Sequence, residues 1–316
     1  MATRRLATVF GGTGFIGQHV VSRLARLDYE VRVVTRHAET VRRLMTQGNV
    51  GQVVAFRADL ADDAALARSV AGASLVVNLV GILAESRKGD FQRLQGELPG
   101  RIGRAAAAAG VSRLVHLSAI GADPASASQY ARSKAAGEAG LQAAFPRAII
   151  LRPSVIFGPE DHFFNRFAGM AQLLPFMPVV CGATRFQPVF VGDVAAAVLA
   201  ASRRGAAEGQ VFELGGPRVA SFRELMGYVL EVTGRSKRLV ELPAGLVRLQ
   251  ARLGELLPNP PLTRDQLILL QKDNVVAAGA KGFAELGIAP QAMEAVVPAY
   301  LTRFRPGGGR RPAYPA

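Results

Sequence analysis

Short apolar runs alternate with stretches of helical periodicity through the first half of the chain. Leu6 to Phe10 is followed by a helical pattern over Gly17 to Arg26, then come Val31 to Thr35, Thr40 to Gln47 and Val53 to Arg57. The alternation continues through Leu75 to Leu79, a helix over Gln92 to Ala109, Leu114 to Leu117, a helix over 127–144, and Ile149 to Leu151. This order predicts βαβ units around a parallel sheet, whose right-handed crossovers gather ligand-binding loops at the carboxyl ends of the strands. The expected fold class is therefore α/β: a Rossmann-type doubly wound parallel sheet with a smaller C-terminal α/β lobe.

The pattern loosens after Pro153. A Phe- and Met-rich stretch runs from Phe163 to Met177, followed by a strand over Pro188 to Val191 and a helix starting at Val194. Phe163, Phe164, Phe167, Met170, Leu173, Leu174, Phe176 and Met177 could form a lipid- or partner-facing surface or the lobe's own core. Ser221 with Glu224, and Thr263 with Gln266, have capping-box spacing and predict helices reaching Val232 and Lys272. Between them, Gly245 to Leu256 reads as a short amphipathic helix with Arg248 and Arg252 on its polar side. The expected organisation is a nucleotide-binding domain over 1–155, a smaller substrate or partner lobe over 156–302 with the chain returning to the first sheet around 188–215, and a disordered basic tail over 303–316.

Residues 8 to 17 read TVFGGTGFIG, so Gly11, Gly14 and Gly17 fit GxxGxxG while Gly12, Gly14 and Gly17 fit GxGxxG. Glycine permits the tight turn and lets backbone N–H groups approach a pyrophosphate, while the helix N-terminus stabilises its charge. The motif follows an apolar strand and opens a helix, which is the context it requires. Thr13, Phe15 and Ile16 belong to the same cradle. An NAD site usually places a carboxylate at the end of the second strand, and here Val31 to Thr35 is followed by Arg36. A guanidinium suits a ribose 2′-phosphate, so NADPH is expected over NAD(H), although Arg36 could also be a solvated residue at a helix start. Asp59 and Leu60 end the third strand where an adenine would lie, and Asn78 to Gly81, with Leu79 and Val80, end the fourth near the nicotinamide ribose.

Tyr130 and Lys134, in YARSK, lie four apart on a predicted helix and share a face. A phenol is a poor base at neutral pH, but a neighbouring ammonium favours the phenolate and brings it toward the working range. A tyrosine tuned in this way exchanges a proton with an alcohol or carbonyl.

With GGTGFIG, Ser118 at a strand end, YARSK, and LRPSVIFGP from Leu151 to Pro159, the chain resembles the short-chain dehydrogenase/reductase superfamily in its extended or atypical branch. That likeness implies Tyr130 as acid/base, Lys134 on the nicotinamide ribose, and Pro153 and Ile156 lining the nicotinamide. Ser118 is the candidate for the third catalytic member, but Ala119 and Ile120 follow it where extended members commonly carry a further hydroxyl. A narrower resemblance, carried by AAFPRAIILRPSVIFGPEDHFFNRFAGM, RFQPVFVGDVAAAV and PPLTRDQLILLQKDN, is to the nucleotide-binding accessory subunit family of respiratory complex I and its bacterial relatives. It implies a bound NADPH of mainly structural role, seated where the peripheral arm meets the membrane near the quinone site.

Charge and composition narrow the alternatives. A net charge of +14 attracts anionic partners, among them coenzyme phosphates, an acidic membrane surface or an acidic protein face. No aromatic and basic platform accompanies it, so nucleic acid is not an expected partner. The single cysteine, Cys181, is expected to be a small buried apolar group. His19, His37, His116 and His162 have no zinc-ligand spacing, and no metal is expected. The apolar stretch Val189 to Ala201 is interrupted by Asp193, so no spanning helix is predicted. Met1 to Arg5 lead straight into a strand, leaving no room for a signal peptide, so export is not expected. The resemblance to the complex I subunit family implies a cytoplasmic place, peripheral on the inner face of a bacterial membrane. Two functions fit: an accessory or assembly subunit of complex I, or an NADP(H)-dependent oxidoreductase or epimerase/dehydratase-like enzyme on an apolar quinone- or isoprenoid-like substrate. Arg185 could bind a sugar-nucleotide phosphate, but the apolar lobe argues against that substrate.

Overall fold

The computed structural model describes residues 5–243, Gly245 and residues 263–309. Apart from Gly245, the amphipathic pattern ending at Leu256 lies outside the described residues, as do Arg310 and Arg311. The first strands are β1 (Leu6–Phe10), β2 (Glu30–Thr35), β3 (Val53–Arg57), β4 (Leu75–Asn78), β5 (Arg113–Leu117) and β6 (Ile149–Pro153). After Pro153 come the short β7 (Ile156–Phe157), β8 (Met177–Val179), β9 (Arg185–Phe186) and β10 (Val189–Phe190), then β11 (Val211–Leu214), β12 (Ala220–Ser221) and β13 (Leu239–Glu241). The helices are α1 (Phe15–Arg26), α2 (Arg42–Met45), α3 (Asp63–Val70), α4 (Leu98–Ala108), α5 (Gln129–Ala144), α6 (Phe164–Leu173), α7 (Val191–Arg203), α8 (Phe222–Val232), α9 (Arg264–Leu269) and α10 (Met293–Leu301).

One compact unit contains the chain up to Pro153, Val191–Leu214 and Ala277–Ala289. Its seven-stranded sheet has the order β11-β6-β5-β4-β1-β2-β3, and every pairing in it is parallel. The chain reverses its direction of travel across the sheet between β1 and β4, which is where such sheets open a crevice at their carboxyl edge. All four residues of β4 are buried; Leu75, Val76 and Val77 form the apolar run, and the buried polar Asn78 ends it. Edge strand β11 is covered by the later segment of the same unit, with Glu213 N–H donating to Lys281 O at 2.8 Å.

On one face of the sheet, α4 and α5 approach through glycines. A Cβ on Gly100 would lie 3.1 Å from Gly140 O, and one on Gly137 only 2.0 Å from Gln95 O. That carbonyl belongs to a π-helical turn over Gln92–Glu97, where an uninterrupted helix was expected; the extra residue in the turn sets Gln95 against α5.

The second unit comprises Ser154–Phe190, Gly215–Val276 and Pro290 onward. Its strands pair in twos, β7 with β10, β9 with β12 and β8 with β13. Phe157, Phe164, Phe186, Met226 and Val229 sit in its core, and Phe163 packs edge-on to Phe164 at 5.2 Å. Much of the Phe- and Met-rich stretch is thus core, while Leu173 and Phe176 at its end are exposed. Both predicted capping boxes are present, at Ser221 and Thr263, although the second helix stops at Leu269. Cys181 is half-buried, with a positive φ of 52°. The segment expected to be disordered from 303 is ordered through Gly309, because Arg303 donates to Asn165 Oδ1 at 2.6 Å and Arg305 Nε to Val232 O at 2.8 Å. Among the described residues, no helix is long and apolar enough to cross a membrane.

Candidate functional site

The glycine-rich turn lies at the carboxyl end of β1. Gly11 has φ +75°, which disfavours any side chain, and a Cβ there would press on the backbone of Leu79 and Val80 at 3.0–3.1 Å. A Cβ on Gly17 would lie 2.3 Å from Gly11 O, and one on Gly12 would lie 2.9 Å from Val33 Cγ1. Gly14 differs: its nearest neighbour would be Gly11 O at 3.4 Å, and it is exposed. The two overlapping glycine spacings therefore have separate duties, with Gly11, Gly12 and Gly17 closing the turn and Gly14 leaving its outer side open. Gly14 is also the N-cap of α1, which has no side-chain cap and no acidic residue in its first turn. A helix N-terminus with neither a side-chain cap nor an acid in its first turn suits a diphosphate. Thr13 is exposed, and Phe15 and Ile16 are half-buried in that first turn.

Arg36 directly follows β2, is exposed, and has no hydrogen bond or ion pair among the described residues. Asp59 is exposed after β3 and accepts from Ala61 N–H at 3.0 Å, while Leu60 is half-buried against the core. Leu79 N–H donates to Phe10 O at 3.0 Å, tying the end of β4 to the glycine turn. Val80 N–H is held by Asn78 Oδ1 at 3.1 Å. Gly81 faces the fourth-strand end toward α5, where a Cβ would meet Lys134 Nζ at 3.2 Å.

Ser128 caps α5, accepting from Ala131 N–H at 3.2 Å, and starts the helix two residues later than the apolar pattern suggested. The buried Lys134 donates from Nζ to Leu117 O at 3.3 Å and lies 5.9 Å from the centre of the Tyr130 ring. Burial pushes Lys134 down to about 8, with Glu138 one turn on opposing the shift. Burial pushes Tyr130 up to about 12. The expectation that the ammonium would draw the phenol toward neutrality is thus corrected: in the protein alone, desolvation of the phenolate outweighs the charge beside it. Ser118, just past β5, is buried and its Oγ has no partner among the described residues. Pro153 ends β6 and its carbonyl accepts from Ile120 N–H at 3.0 Å. Ile156 belongs to the second unit, in β7 paired with Val189.

Three features escaped the sequence reading. Gln95 joins two parts of the site, accepting from Ile82 N–H at 3.1 Å and donating to Ser133 Oγ at 3.2 Å. Glu138, almost fully buried, forms a two-pronged ion pair with Arg152, at 2.9 and 2.5 Å, behind Lys134. His116 is buried in β5 beside Asn78. The available signal was a polar residue inside an apolar strand, in LVHL and IILRP. No group of three or more potential metal-ligating side chains occurs among the described residues.

The bare turn, the uncapped helix start, the orphaned Ser118 hydroxyl and the lysine facing Gly81 together fit a nicotinamide dinucleotide. A family model described as the NAD dependent epimerase/dehydratase family matches residues 7–215. NADH dehydrogenase (ubiquinone) 1 alpha subcomplex subunit 9 of Arabidopsis thaliana, a mitochondrial protein, is 33% identical over 316 residues, covering 96% of this chain and 79% of that one. Its Mus musculus counterpart is 34% identical over 303 residues, covering 95% and 80%. A ceramide reductase of Caulobacter vibrioides is 34% identical over 247 residues, covering 77% and 76%. Among solved structures, the NADPH-dependent quinone oxidoreductase QOR2 of Escherichia coli, complexed with NADPH, superposes with a TM-score of 0.75 at 18% identity, covering 93% of this chain and 99% of that one. The dTDP-glucose 4,6-dehydratase DesIV of Streptomyces venezuelae, with NAD and TYD bound, gives 0.72 at 20% identity, covering 95% and 96%. At such identities the likeness is one of fold.

Proposed function

The chain belongs to the NAD dependent epimerase/dehydratase family, and from that premise we propose that it is an NADP(H)-binding accessory subunit of respiratory complex I whose coenzyme is mainly structural. The observation that carries the proposal is the likeness to the subunit 9 proteins, which runs along 95–96% of the chain and so beyond residues 7–215 that the family model matches. In this reading the protein sits peripherally on an acidic membrane surface, at the inner face of a bacterial cytoplasmic membrane, to which its net charge of +14 is suited.

The site residues divide the work of holding the coenzyme. Backbone N–H groups of the glycine turn and the α1 N-terminus receive the diphosphate. Arg36, without a partner among the described residues, offers its guanidinium to the 2′-phosphate of NADPH, for which NAD has no counterpart. Asp59 and Leu60 border the adenine, Leu79, Val80 and Gly81 border the nicotinamide ribose, Lys134 donates to that ribose, and Pro153 lines the ring. When bound, NADPH can supply hydride chemistry, but the acid–base side is poorly equipped here: Ala119 and Ile120 follow Ser118, and Tyr130 stands at about 12. Binding to the folded state alone stabilises it, by about 4 kcal/mol at a thousandfold excess over the dissociation constant.

A second reading, an NADP(H)-dependent oxidoreductase on an apolar substrate, is favoured by the Tyr130 and Lys134 pair on one helix face and by the ceramide reductase relative. A sugar-nucleotide substrate is disfavoured, since Arg185 is already engaged by Asp273 at 2.8 Å through both its backbone N–H and Nε. Gentle solubilisation of native membranes separates the readings. Comigration with complex I, with NADPH surviving dialysis, supports the subunit. A protein that migrates alone, exchanges NADPH freely and oxidises it with apolar carbonyl compounds or quinones supports the enzyme, and turnover unchanged in Tyr130→Phe then excludes the tyrosine as its acid.

A further inference from the structure

Two buried polar atoms near the carboxyl end of β5 have no hydrogen-bond partner among the described residues: Nε2 of His116 and Oγ of Ser118. His116 is 1% exposed and Ser118 4%, so bulk water reaches neither. Residues two apart on a strand point to the same side. Leu114, on that side, shares a core cluster with Leu141 and Phe145, so the side faces the layer containing α5. From that layer the Lys134 ammonium reaches Leu117 O, the carbonyl between the two residues, at 3.3 Å. This is the ammonium's one hydrogen bond among the described residues, although it has three N–H donors.

The imidazole is fixed from its other edge. Val80 N–H donates to Asn78 Oδ1 at 3.1 Å, which orients that amide and sets its Nδ2 3.2 Å from His116 Nδ1. The orientation of that amide assigns Nδ1 as the acceptor, which leaves the ring proton to Nε2. Burial, reinforced by the Lys134 charge, pushes His116 down to about 3, so the ring stays neutral at physiological pH. An Nε2–H and a hydroxyl without partners thus belong to buried residues 116 and 118, and an ammonium with spare donors bonds the carbonyl of residue 117 between them.

We propose that His116 and Ser118 hold one internal water molecule that accepts a hydrogen bond from Lys134 Nζ, making His116 a positioning residue for that lysine. The water accepts from His116 Nε2–H and from Lys134, and donates to Ser118 Oγ, making the three hydrogen bonds typical of buried water. It also gives the ammonium a second fixed anchor beside Leu117 O, so that Nζ is held near Gly81 and not free to swing. Other groups acting on Nζ are Glu138 and the Tyr130 ring, both from α5 itself. The water site stands on the protein's own geometry; its bearing on affinity rests on the coenzyme reading.

The test begins on coenzyme-free protein. A crystal structure that orders solvent should show a water bonded to His116 Nε2, Ser118 Oγ and Lys134 Nζ. Selective histidine 15N labelling should show a neutral ring, with the proton on Nε2, from pH 5 to pH 9, and a cross-peak from that proton to a long-lived water. A charged ring, a proton on Nδ1, or direct contact of these groups with no water would overturn the proposal. The second arm uses NADPH affinity against pH. In His116→Leu the pH at which affinity is half lost should fall by about one unit, because the ammonium loses a partner that favours its charged form. His116→Gln, which keeps a side-chain donor, should restore most of it. A midpoint unmoved in His116→Leu, with the variant folded, also overturns the proposal. If wild-type protein does not bind NADPH at all, the coenzyme reading fails, and the crystal and NMR outcomes still decide the water.

Discussion

Replacing Gly17 and Gly14 separately by alanine should split stability from coenzyme affinity. The Cβ of Gly17→Ala would lie 2.3 Å from Gly11 O and 2.6 Å from both Gly12 C and Gly12 Cα. All three are backbone atoms of the turn itself, so no flexible side chain can yield, and β1 and α1 must part. Overpacking of this kind costs about 1–3 kcal/mol, and the rigidity of the neighbours favours the upper end. At roughly 2–4 °C per kcal/mol for a unit of this size, thermal unfolding should start about 5–10 °C lower. Gly14→Ala meets Gly11 O at 3.4 Å and has φ −77°, so stability should change by no more than about 0.5 kcal/mol. Its methyl group instead stands on the open side of the turn, and NADPH affinity should fall at least about tenfold, equivalent to about 1.4 kcal/mol. Circular dichroism melts and calorimetric NADPH titrations of both variants measure the contrast. A Gly17→Ala protein that melts like wild type, or a Gly14→Ala protein that binds like wild type, would refute the assignment of roles within the turn.

Other consequences are as open to measurement. Arg36→Ser should weaken NADPH about 10- to 100-fold while leaving NADH within about twofold, as expected for losing charge-assisted hydrogen bonds to one phosphate; equal losses for both coenzymes would remove Arg36 from the 2′-phosphate site. Lys134 is lowered from 10.5 to about 8, so between those values the unfolded chain holds a proton that the folded protein has released. Stability of the coenzyme-free protein should therefore rise with pH across that window, and Lys134→Met should abolish the rise and raise stability at neutral pH, measurable by urea unfolding at a series of pH values. Likewise His116, lowered from 6.5 to about 3, should make stability fall as pH drops through that interval, a slope that His116→Gln removes. In the second unit, Tyr300 OH donates to the buried Asp161 Oδ2 at 2.6 Å, so Tyr300→Phe should cost about 1.5–3 kcal/mol, with Asp161→Ala costing more because Gly158, Phe163 and Asn165 N–H groups also lose their acceptor. Chemical unfolding would count against that account if both variants matched wild type.

The strand and helix alternation was legible because parallel strands covered on both faces are mostly apolar, as Leu75, Val76 and Val77 of β4 are. The turn was legible because glycine alone tolerates the Gly11 conformation and the contact at Gly17, so chemistry and steric demand coincide in one short motif. What escaped depends on partners far along the chain. The cover over β11 comes from residues 277–289, more than sixty positions later, and its backbone pairing leaves no compositional trace. The π-helical turn carries one poor helix former, Gly96, but its steric reason is Gly137 on another helix. Asp62 N-caps α3, accepting from Ala64 N–H at 2.9 Å, yet that short helix has too few turns to impose a period. Tyr130 shows the opposite failing, since spacing disclosed its neighbour Lys134 but not the depth of burial that governs its proton affinity.

The central claim is that the first βα turn grips a nicotinamide coenzyme. Calorimetric titration of coenzyme-stripped protein with NADPH and then NADH tests it most directly. The account predicts saturable binding at a single site, tighter for NADPH and weakened at least about tenfold in Gly14→Ala. Folded protein that binds neither coenzyme would contradict it.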